Sequence, residues 1–405
     1  MTPSVPSSDP ARLRAAEALW NPATLPDPYP HYETLRALGG GLMFLPGWNG
    51  WVLTSHAAVS AVLRSPAARS GGAGATPHSD GARLLQGMML WHDGPAHRRL
   101  RALVSAAFTP RVVEEQRDLV RGLLRDLLAA WPAQAEVDVV ASLAHPLPAR
   151  VIMAMLGLSG EDEARFLRWS GSVAELIGGA QGTPGLLARI DADAREMRGY
   201  FQDLVHELRG HPRPGLLSAL AAAEDGGERL SGDELLSNAV LLLTAGHETT
   251  GNLIPGGLLE LARQPAAWAA LAEHPRRPGV ADELLRVVSP VQLDSRQLSA
   301  DLQVGDQTLR AGQFTQLLLG AANRDPAVFP DPARLDWDRP NSARHLAFAA
   351  GPHYCLGASL ARLEIAEVFA ALAERFPDLR VTDPHPPYKP NLVLRGPAEL
   401  RVRPG

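Results

Sequence analysis

Residues 348–357 read Phe348-Ala349-Ala350-Gly351-Pro352-His353-Tyr354-Cys355-Leu356-Gly357, and a helical pattern follows at once, from Leu356 to Phe376, stopped by Pro377. Cys355 is the only cysteine among 405 residues. It stands where a helix begins, and there unpaired N–H groups and about half a positive charge favour a thiolate over a thiol. Gly351 and Gly357 flank the sulfur, where a bulky side chain would block close approach of a flat ligand. Residue types alone leave a second reading open, a buried structural cysteine in a glycine-rich turn. A single cysteine excludes an intrachain disulfide and a cysteine-based zinc cluster.

The rest of the composition narrows the class. The chain is 45% hydrophobic and 20% charged, so it can bury a large core. Only 5% is aromatic, which points to packed helices rich in Leu, Val and Ala. Net charge is -5, with no basic block, so nucleic acid and anionic membranes are poor partners. Lys389 is the sole lysine; 39 basic residues less one leaves 38 arginines. The polar, proline-containing start lacks the pattern of a signal peptide, and no apolar run approaches a membrane span. A cytoplasmic protein with no membrane anchor is expected, as a monomer.

Moving outward from the cysteine, Ser231-Gly-Asp-Glu234 is a capping box before an apolar run. A helix is predicted from there to about Arg263, stopped by Pro265. Some thirty residues would make a rod of about 45 Å. Helices are also predicted over Ala96–Trp131 (broken at Pro110), Leu147–Leu156, Glu161–Ile177, Leu186–Arg209 and Gly279–Val288. Val291–Gln316 looks like strand, with turns at Gly305 and Gly312. Short strands are expected near Leu392–Leu394 and Leu400–Val402. Gly41–Pro46 and Trp51–Thr54 form a hairpin around Asn49-Gly50, and Ser55 caps a short helix ending at Pro66. Ser70–Asp80 reads as a mobile loop, Gly178–Gly185 as a flexible connector and Asp325–Pro340 as a loop. With no internal repeat or linker, one domain over 1–405 is expected, and prolines make 1–28 a loose lead-in.

The cysteine segment matches Phe-x-x-Gly-x-His-x-Cys-x-Gly, and so resembles the haem-binding signature of the cytochrome P450 family. Three further segments stand in family order. Glu283-Leu-Leu-Arg286 resembles the family's ExxR helix. Ala245-Gly-His-Glu-Thr-Thr250 resembles its oxygen-activating segment, and His97-Arg-Arg-Leu-Arg101 its haem-propionate helix. Ala322–Pro332 resembles the soluble bacterial members. The likeness runs from about Tyr29 to the end. It implies a mainly α fold, with a long central helix over the haem and a small β-rich region.

Roles follow from the same resemblance. Cys355 would be the axial ligand of the haem iron, within a loop that includes Phe348, Gly351 and Gly357. His97 and Arg101, one helical turn apart, would clamp a propionate, joined by Arg296, His353 and His345. Glu248 and Thr249 would form the acid–alcohol pair that moves protons, with Ala245 and Gly246 leaving room for oxygen. Glu283 and Arg286 share a helix face and would brace the core, with Arg334 as third member. Two alanines, Ala349 and Ala350, stand where many members carry glycine; alanine fits if those positions avoid positive φ. Gly94 and Ala96 depart from the usual lead-in to the propionate helix.

Two other motif readings fail on residues. His247-Glu248-Thr249-Thr250-Gly251 starts like a zinc-protease helix, but the second histidine position is Gly251. Covalent haem attachment needs a second cysteine, so haem b would bind non-covalently. The expected activity is insertion of one atom of dioxygen into a small hydrophobic substrate, such as a terpenoid, fatty acid or polyketide-like compound. Electrons derived from NAD(P)H would come through a ferredoxin or flavodoxin with its reductase, and Arg98, Arg99 and Arg362 could attract such an acidic donor. A peroxide-driven peroxygenase and a non-catalytic haem sensor or carrier remain open alternatives. Pocket walls are expected from Ser70–Trp91, Arg165–Arg209, Leu241–Ala245, Val291–Ser295 and Val393–Arg395.

Overall fold

Proline placement decides the first helices. A computed structural model describes residues 10–71, 79–132, 135–178, 184–222, 224–225 and 228–405. Pro10 opens α1 (Pro10–Glu17), and Pro28 and Pro30 lie at the start of α2 (Tyr29–Gly39). Proline is tolerated there because the first N–H groups have no helical partner. This corrects the loose lead-in expected over 1–28: within its described part, Ala16, Leu19 and Leu25 are buried. β1 (Leu42–Leu45) and β2 (Gly50–Leu53) form the expected hairpin, with Asn49 left-handed at φ 46°. Ser55 Oγ accepts from the Ala58 N–H and caps α3 (His56–Arg64).

β3 (Ala68–Arg69) and α4 (Asp80–Gln86) follow. Most of the loop expected between Ser70 and Asp80 lies outside the described residues. The predicted break at Pro110 is real, since Pro110 starts a new helix: α5 (Gly94–Ser105) gives way to α6 (Pro110–Glu114) and α7 (Arg117–Ala129). β4 (Val137–Asp138) leads into a π-helical turn, Val140–Ala144, and then α8 (Pro146–Leu156). α9 (Glu163–Ile177) and α10 (Pro184–Gly210) flank the predicted connector, which falls largely outside the described residues. α11 (Leu216–Ala222), β5 (Glu224–Asp225) and β6 (Glu228–Arg229) complete this part.

The capping box forms as read. Ser231 Oγ accepts from the Glu234 N–H at 3.1 Å, and Glu234 Oε2 from the Ser231 N–H at 3.0 Å. They open α12 (Gly232–Arg263), 32 residues long, about 48 Å at 1.5 Å per residue. It is apolar on nearly every side, as a helix buried all round must be. α13 (Pro265–Glu273) and α14 (Val280–Val288) come next. β7 (Leu293–Leu298), β8 (Leu302–Val304), β9 (Gln307–Leu309) and β10 (Phe314–Leu318) lead to α15 (Leu319–Ala322), α16 (Ala358–Arg375), β11 (Arg380–Val381) and β12 (Arg401–Arg403). Gly256 and Gly257 let three helices meet. A Cβ there would lie 2.6 Å from Val288 of α14 and 2.6 Å from Phe369 of α16.

The larger sheet runs β1-β2-β10-β7-β3, parallel only between β2 and β10 among these pairs. A second sheet runs β11-β12-β4. The strand expected at Leu392–Leu394 is reduced to one isolated bridge, Val291 to Leu394. Gln292 N–H also donates to Val393 O at 2.9 Å, so two of the expected pocket walls do adjoin.

Candidate active site

One stretch of α12 breaks its burial. From Leu235 to Thr244 every residue is buried, and burial resumes from Thr250 to Leu261. Between them Ala245 is exposed and Gly246 and Thr249 are half-buried, while His247 and Glu248 are buried. Positions 245, 246 and 249 share a helix face, so this is a window on one side of the rod. Thr249 Oγ1 donates back to Ala245 O at 2.8 Å. At Gly246 an added Cβ would meet Ile152 of α8 at 3.4 Å, an ordinary contact.

Cys355 lies between the short turn Gly351–His353 and α16, partly exposed although packed against the main core. Its N–H donates to Phe348 O at 3.0 Å, which closes the loop. Burial pushes the thiol pKa up, while the Gly357 backbone N–H, Arg101 and Arg362 pull it down. The net direction is upward, so desolvation outweighs the helix N-terminus that sequence reading credited with favouring a thiolate. Gly351 is required for a different reason from the one expected. Its φ is +70°, and a Cβ would lie 2.4 Å from Leu63 O at the end of α3. At Gly357 a Cβ would meet open space. Ala350 is extended, but Ala349 has φ 56°, against the expectation that both alanines avoid positive φ.

A cationic cradle adjoins this loop. His97 on α5 is buried and its ring lies 4.2 Å from that of His353. Burial, then His353 and Arg101, hold the His97 pKa down to about 4. Arg101 Nη2 donates to Tyr354 O at 2.7 Å, next to Cys355. His353 Nε2 lies 3.1 Å from Asp93 Oδ1, and Asp93 Oδ2 accepts from the Ser70 and Gly71 N–H groups. Asp93 therefore orients His353, a residue that motif reading passed over. Arg296 on β7 is buried, with Nη1 on Asp294 Oδ1 at 2.6 Å. His345 departs from the expected cradle: Nε2 faces Asp282 Oδ1 at 3.1 Å and Nδ1 accepts from the Ala347 N–H at 3.1 Å. Both ring nitrogens are used, and Arg362 Nε shares the same Asp282 oxygen at 2.7 Å. Arg99 is paired with Glu234, while Arg98 is exposed.

The brace is a fully buried bidentate pair. Arg286 donates from Nε and Nη2 to the two oxygens of Glu283 at 2.8 and 2.7 Å. The third member is Arg339, whose Nε reaches Glu283 Oε1 at 3.0 Å. Arg334 is exposed and contributes only its carbonyl, to Arg286 and Arg339. Arg286 also holds Asn323 O and Pro332 O, and Asn323 Oδ1 accepts from the Leu346 N–H. The pair thus ties α14 to the loop that delivers Cys355.

Behind the window, Glu248 meets the sole lysine. Lys389 Nζ donates to Glu248 Oε1 at 2.5 Å, to Asn252 Oδ1 at 2.9 Å and to His145 Nε2 at 3.1 Å. Burial pushes the Glu248 carboxyl pKa up, but Lys389 and the neighbouring histidines bring it below its ordinary value.

The donor set fits a haem. A window in a buried helix, a lone thiol at a tied loop, and a cluster of two histidines and two arginines match the needs of a flat dianionic macrocycle with a soft axial ligand.

The family model Cytochrome P450 matches residues 278–403. The biotin biosynthesis cytochrome P450 of Bacillus subtilis is 35% identical over 395 residues, covering 93% of this chain and 96% of that one. The cytochrome P450 monooxygenase PikC of Streptomyces venezuelae is 37% identical over 389 residues, covering 93% and 91%. Among solved structures, ligand-free CYP164A2 of Mycobacterium smegmatis superposes with a TM-score of 0.88 at 39% identity, covering 96% of this chain and 99% of that one. P450BioI in complex with an acyl carrier protein ligated to hexadec-9Z-enoic acid gives 0.87 at 33% identity, covering 94% and 99%. With the cysteine loop, the brace and the α12 window already in place, this chain belongs to the cytochrome P450 family.

Proposed function

We propose that this haem-thiolate monooxygenase acts on a long apolar chain of the fatty-acyl or polyketide class. The enzyme binds haem b, takes electrons from separate redox partners and inserts one oxygen atom from dioxygen into an organic substrate. No described helix is long and apolar enough to cross a membrane. The substrate class is supported by what resembling proteins are named for. PksS of Bacillus subtilis is a polyketide biosynthesis P450, and P450BioI has been solved with an acyl-loaded carrier protein. We assign the electron donor to the ferredoxin or flavodoxin class.

In this reading Cys355 Sγ would hold the haem iron, and the closed Phe348–Cys355 loop fixes the direction of the thiol. His97, Arg101, Arg296 and His353 would hold the propionates, Arg296 from beside Asp294 and His353 as oriented by Asp93. When bound, haem b supplies dioxygen activation and oxygen insertion. The chain supplies the rest. Thr249 Oγ1 sits on the window and orients a proton donor there. Glu248, one residue before it and held ionised, accepts and passes protons from the protein side.

The observation that carries this reading is the tied Cys355 loop beside the cationic cradle. Optical titration of the haem protein with free and carrier-linked long-chain acids, polyketide lactones and terpenoids tests the substrate class. A haem-band shift with acyl or polyketide ligands, and turnover of them with a surrogate ferredoxin pair, is expected. Shifts confined to compact terpenoids would overturn the substrate assignment.

A further inference from the structure

We propose that Lys389 is the positioning residue of the proton path, its ammonium holding the Glu248 carboxylate on the protein side of α12 as a buried anion. This rests on the reading of Glu248 as the proton-handling group. The chain uses arginine at 38 of its 39 basic positions (39 less Lys389), so a lysine here is a departure that needs a cause. The three acceptors supply one. Glu248 Oε1, Asn252 Oδ1 and His145 Nε2 lie within 3.1 Å of Nζ, from three side chains on two elements. A compact ammonium has three rotatable donors and can serve all three. A planar guanidinium fork cannot do so from one atom.

Among the described residues Lys389 is the one lysine or arginine paired with Glu248. His145 ends the π-helical turn before α8, and accepting a proton from Lys389 requires its Nε2 to be unprotonated. Burial and then Lys389 hold its pKa down to about 4. His247 is held to about 3 by burial, its Nδ1 lies 2.9 Å from Ser170 Oγ, and its Nε2 has no described partner. Asp138 adds only a second negative charge near His145. His145, His247 and Glu248 bring ligand atoms within 4.8 Å of one another, a metal-like grouping. Here the chain's own ammonium takes the cation's place.

The C-terminal segment is built to bring Lys389 in. A Cβ on Gly396 would lie 2.3 Å from Asn252 Oδ1, and the Lys389 N–H donates to Gly396 O at 3.1 Å. The lysine side chain is 20% exposed and the glutamate 6%. Lys389 thus stands between solvent and a carboxylate that burial alone would protonate.

The test compares Lys389→Met, Lys389→Arg, Glu248→Gln and the Lys389→Met/Glu248→Gln pair, each loaded with haem. In infrared difference spectra, Lys389→Met minus parent should show the carbonyl stretch of a newly protonated carboxylic acid. The band should vanish in the double variant and be missing from Lys389→Arg, which keeps the charge. Product per NAD(P)H should fall about tenfold in Lys389→Met, less than the roughly 10²–10⁴-fold that a whole proton-transfer group contributes, and be partly restored in Lys389→Arg, which keeps the charge but not the three-way contact. If Lys389→Met does not fold, acetylation of folded parent, with Lys389→Arg as the control for the N-terminal amine, removes the charge instead. Coupling should then fall in the parent only. Impaired Glu248→Gln with parental coupling and no new band in Lys389→Met, or unchanged coupling in parent shown by mass spectrometry to be acetylated at Lys389, would overturn the role of Lys389 alone. Parental coupling in Glu248→Gln would overturn the reading of Glu248, and this proposal with it.

Discussion

Arg339 Nε donates to Glu283 Oε1 at 3.0 Å across 56 residues of sequence, on the oxygen that Arg286 Nη2 already holds. One carboxylate thus locks two guanidiniums in a buried site. Removing one partner of such a buried set costs about 3–5 kcal/mol, a large share of a typical 5–15 kcal/mol stability. Arg339→Ala, Glu283→Ala and Arg286→Ala should each yield mostly haem-free or insoluble protein. Arg334→Ala removes no contact that its carbonyl makes and should keep parental haem content. Absorbance ratio and soluble yield read both; equal loss at Arg334 and Arg339 would refute the assignment.

Ala349 holds φ 56° inside the Phe348–Cys355 loop. A left-handed conformation costs a non-glycine residue roughly 1–2 kcal/mol, offset in part by the larger unfolded entropy of glycine. Ala349→Gly should therefore raise stability by about 0.5–1 kcal/mol, seen as a higher denaturant midpoint at unchanged slope. A lower midpoint would show that the loop relies on the Ala349 methyl.

Glu364 on α16 is buried, and burial raises its pKa to about 8, opposed by the Thr250 hydroxyl. Its folded pKa is above the unfolded value, so the native state binds the extra proton between about pH 4.5 and 8. Stability must fall as pH rises through that window and level off above it. Glu364→Gln keeps the neutral shape, so its advantage over the parent should grow from pH 5 to pH 8. Parallel stability curves for the two proteins would contradict this.

Cys355 supplies a second pH effect. Burial raises its thiol pKa, yet an iron ligand must be a thiolate. Haem capture by the apo-protein should therefore release a proton and strengthen as pH rises toward the thiol pKa. Capture independent of pH would mean that the thiol is already ionised.

Features that depend on near neighbours were legible in the sequence. The Ser231–Glu234 box and the Glu283–Arg286 pair lie three residues apart, and both formed as read. So did α12, marked by that box and by apolar residues on either side of the His247–Thr250 segment. Contacts closed by the fold were not legible: Asp93 reaches His353 over 260 residues and Lys389 reaches Glu248 over 141. The only advance sign of Lys389 was its solitude among arginines. The N-terminal helices depart from the expectation because Pro10, Pro28 and Pro30 lie at helix starts, where proline breaks nothing. His345 lies outside the cradle because packing, not sequence spacing, sets it against Asp282.

Thr249→Ala tests the window side of the proton path. The hydroxyl bonded to Ala245 O is lost without added bulk, so haem and ligand binding should persist. NAD(P)H consumption should continue while product per NAD(P)H falls sharply and hydrogen peroxide accumulates. Unchanged coupling, together with efficient peroxide-supported turnover of the parent, would favour a peroxide-driven enzyme.

The central claim is that Cys355 Sγ binds the haem iron. The most direct measurement is the absorption spectrum of the reduced carbon monoxide complex of the parent and of Cys355→Ser. A charged sulfur mixes into the porphyrin transition, so the parent should show the strongly red-shifted Soret band of thiolate ligation. Cys355→Ser should lose it. A red-shifted band retained in Cys355→Ser would contradict the account.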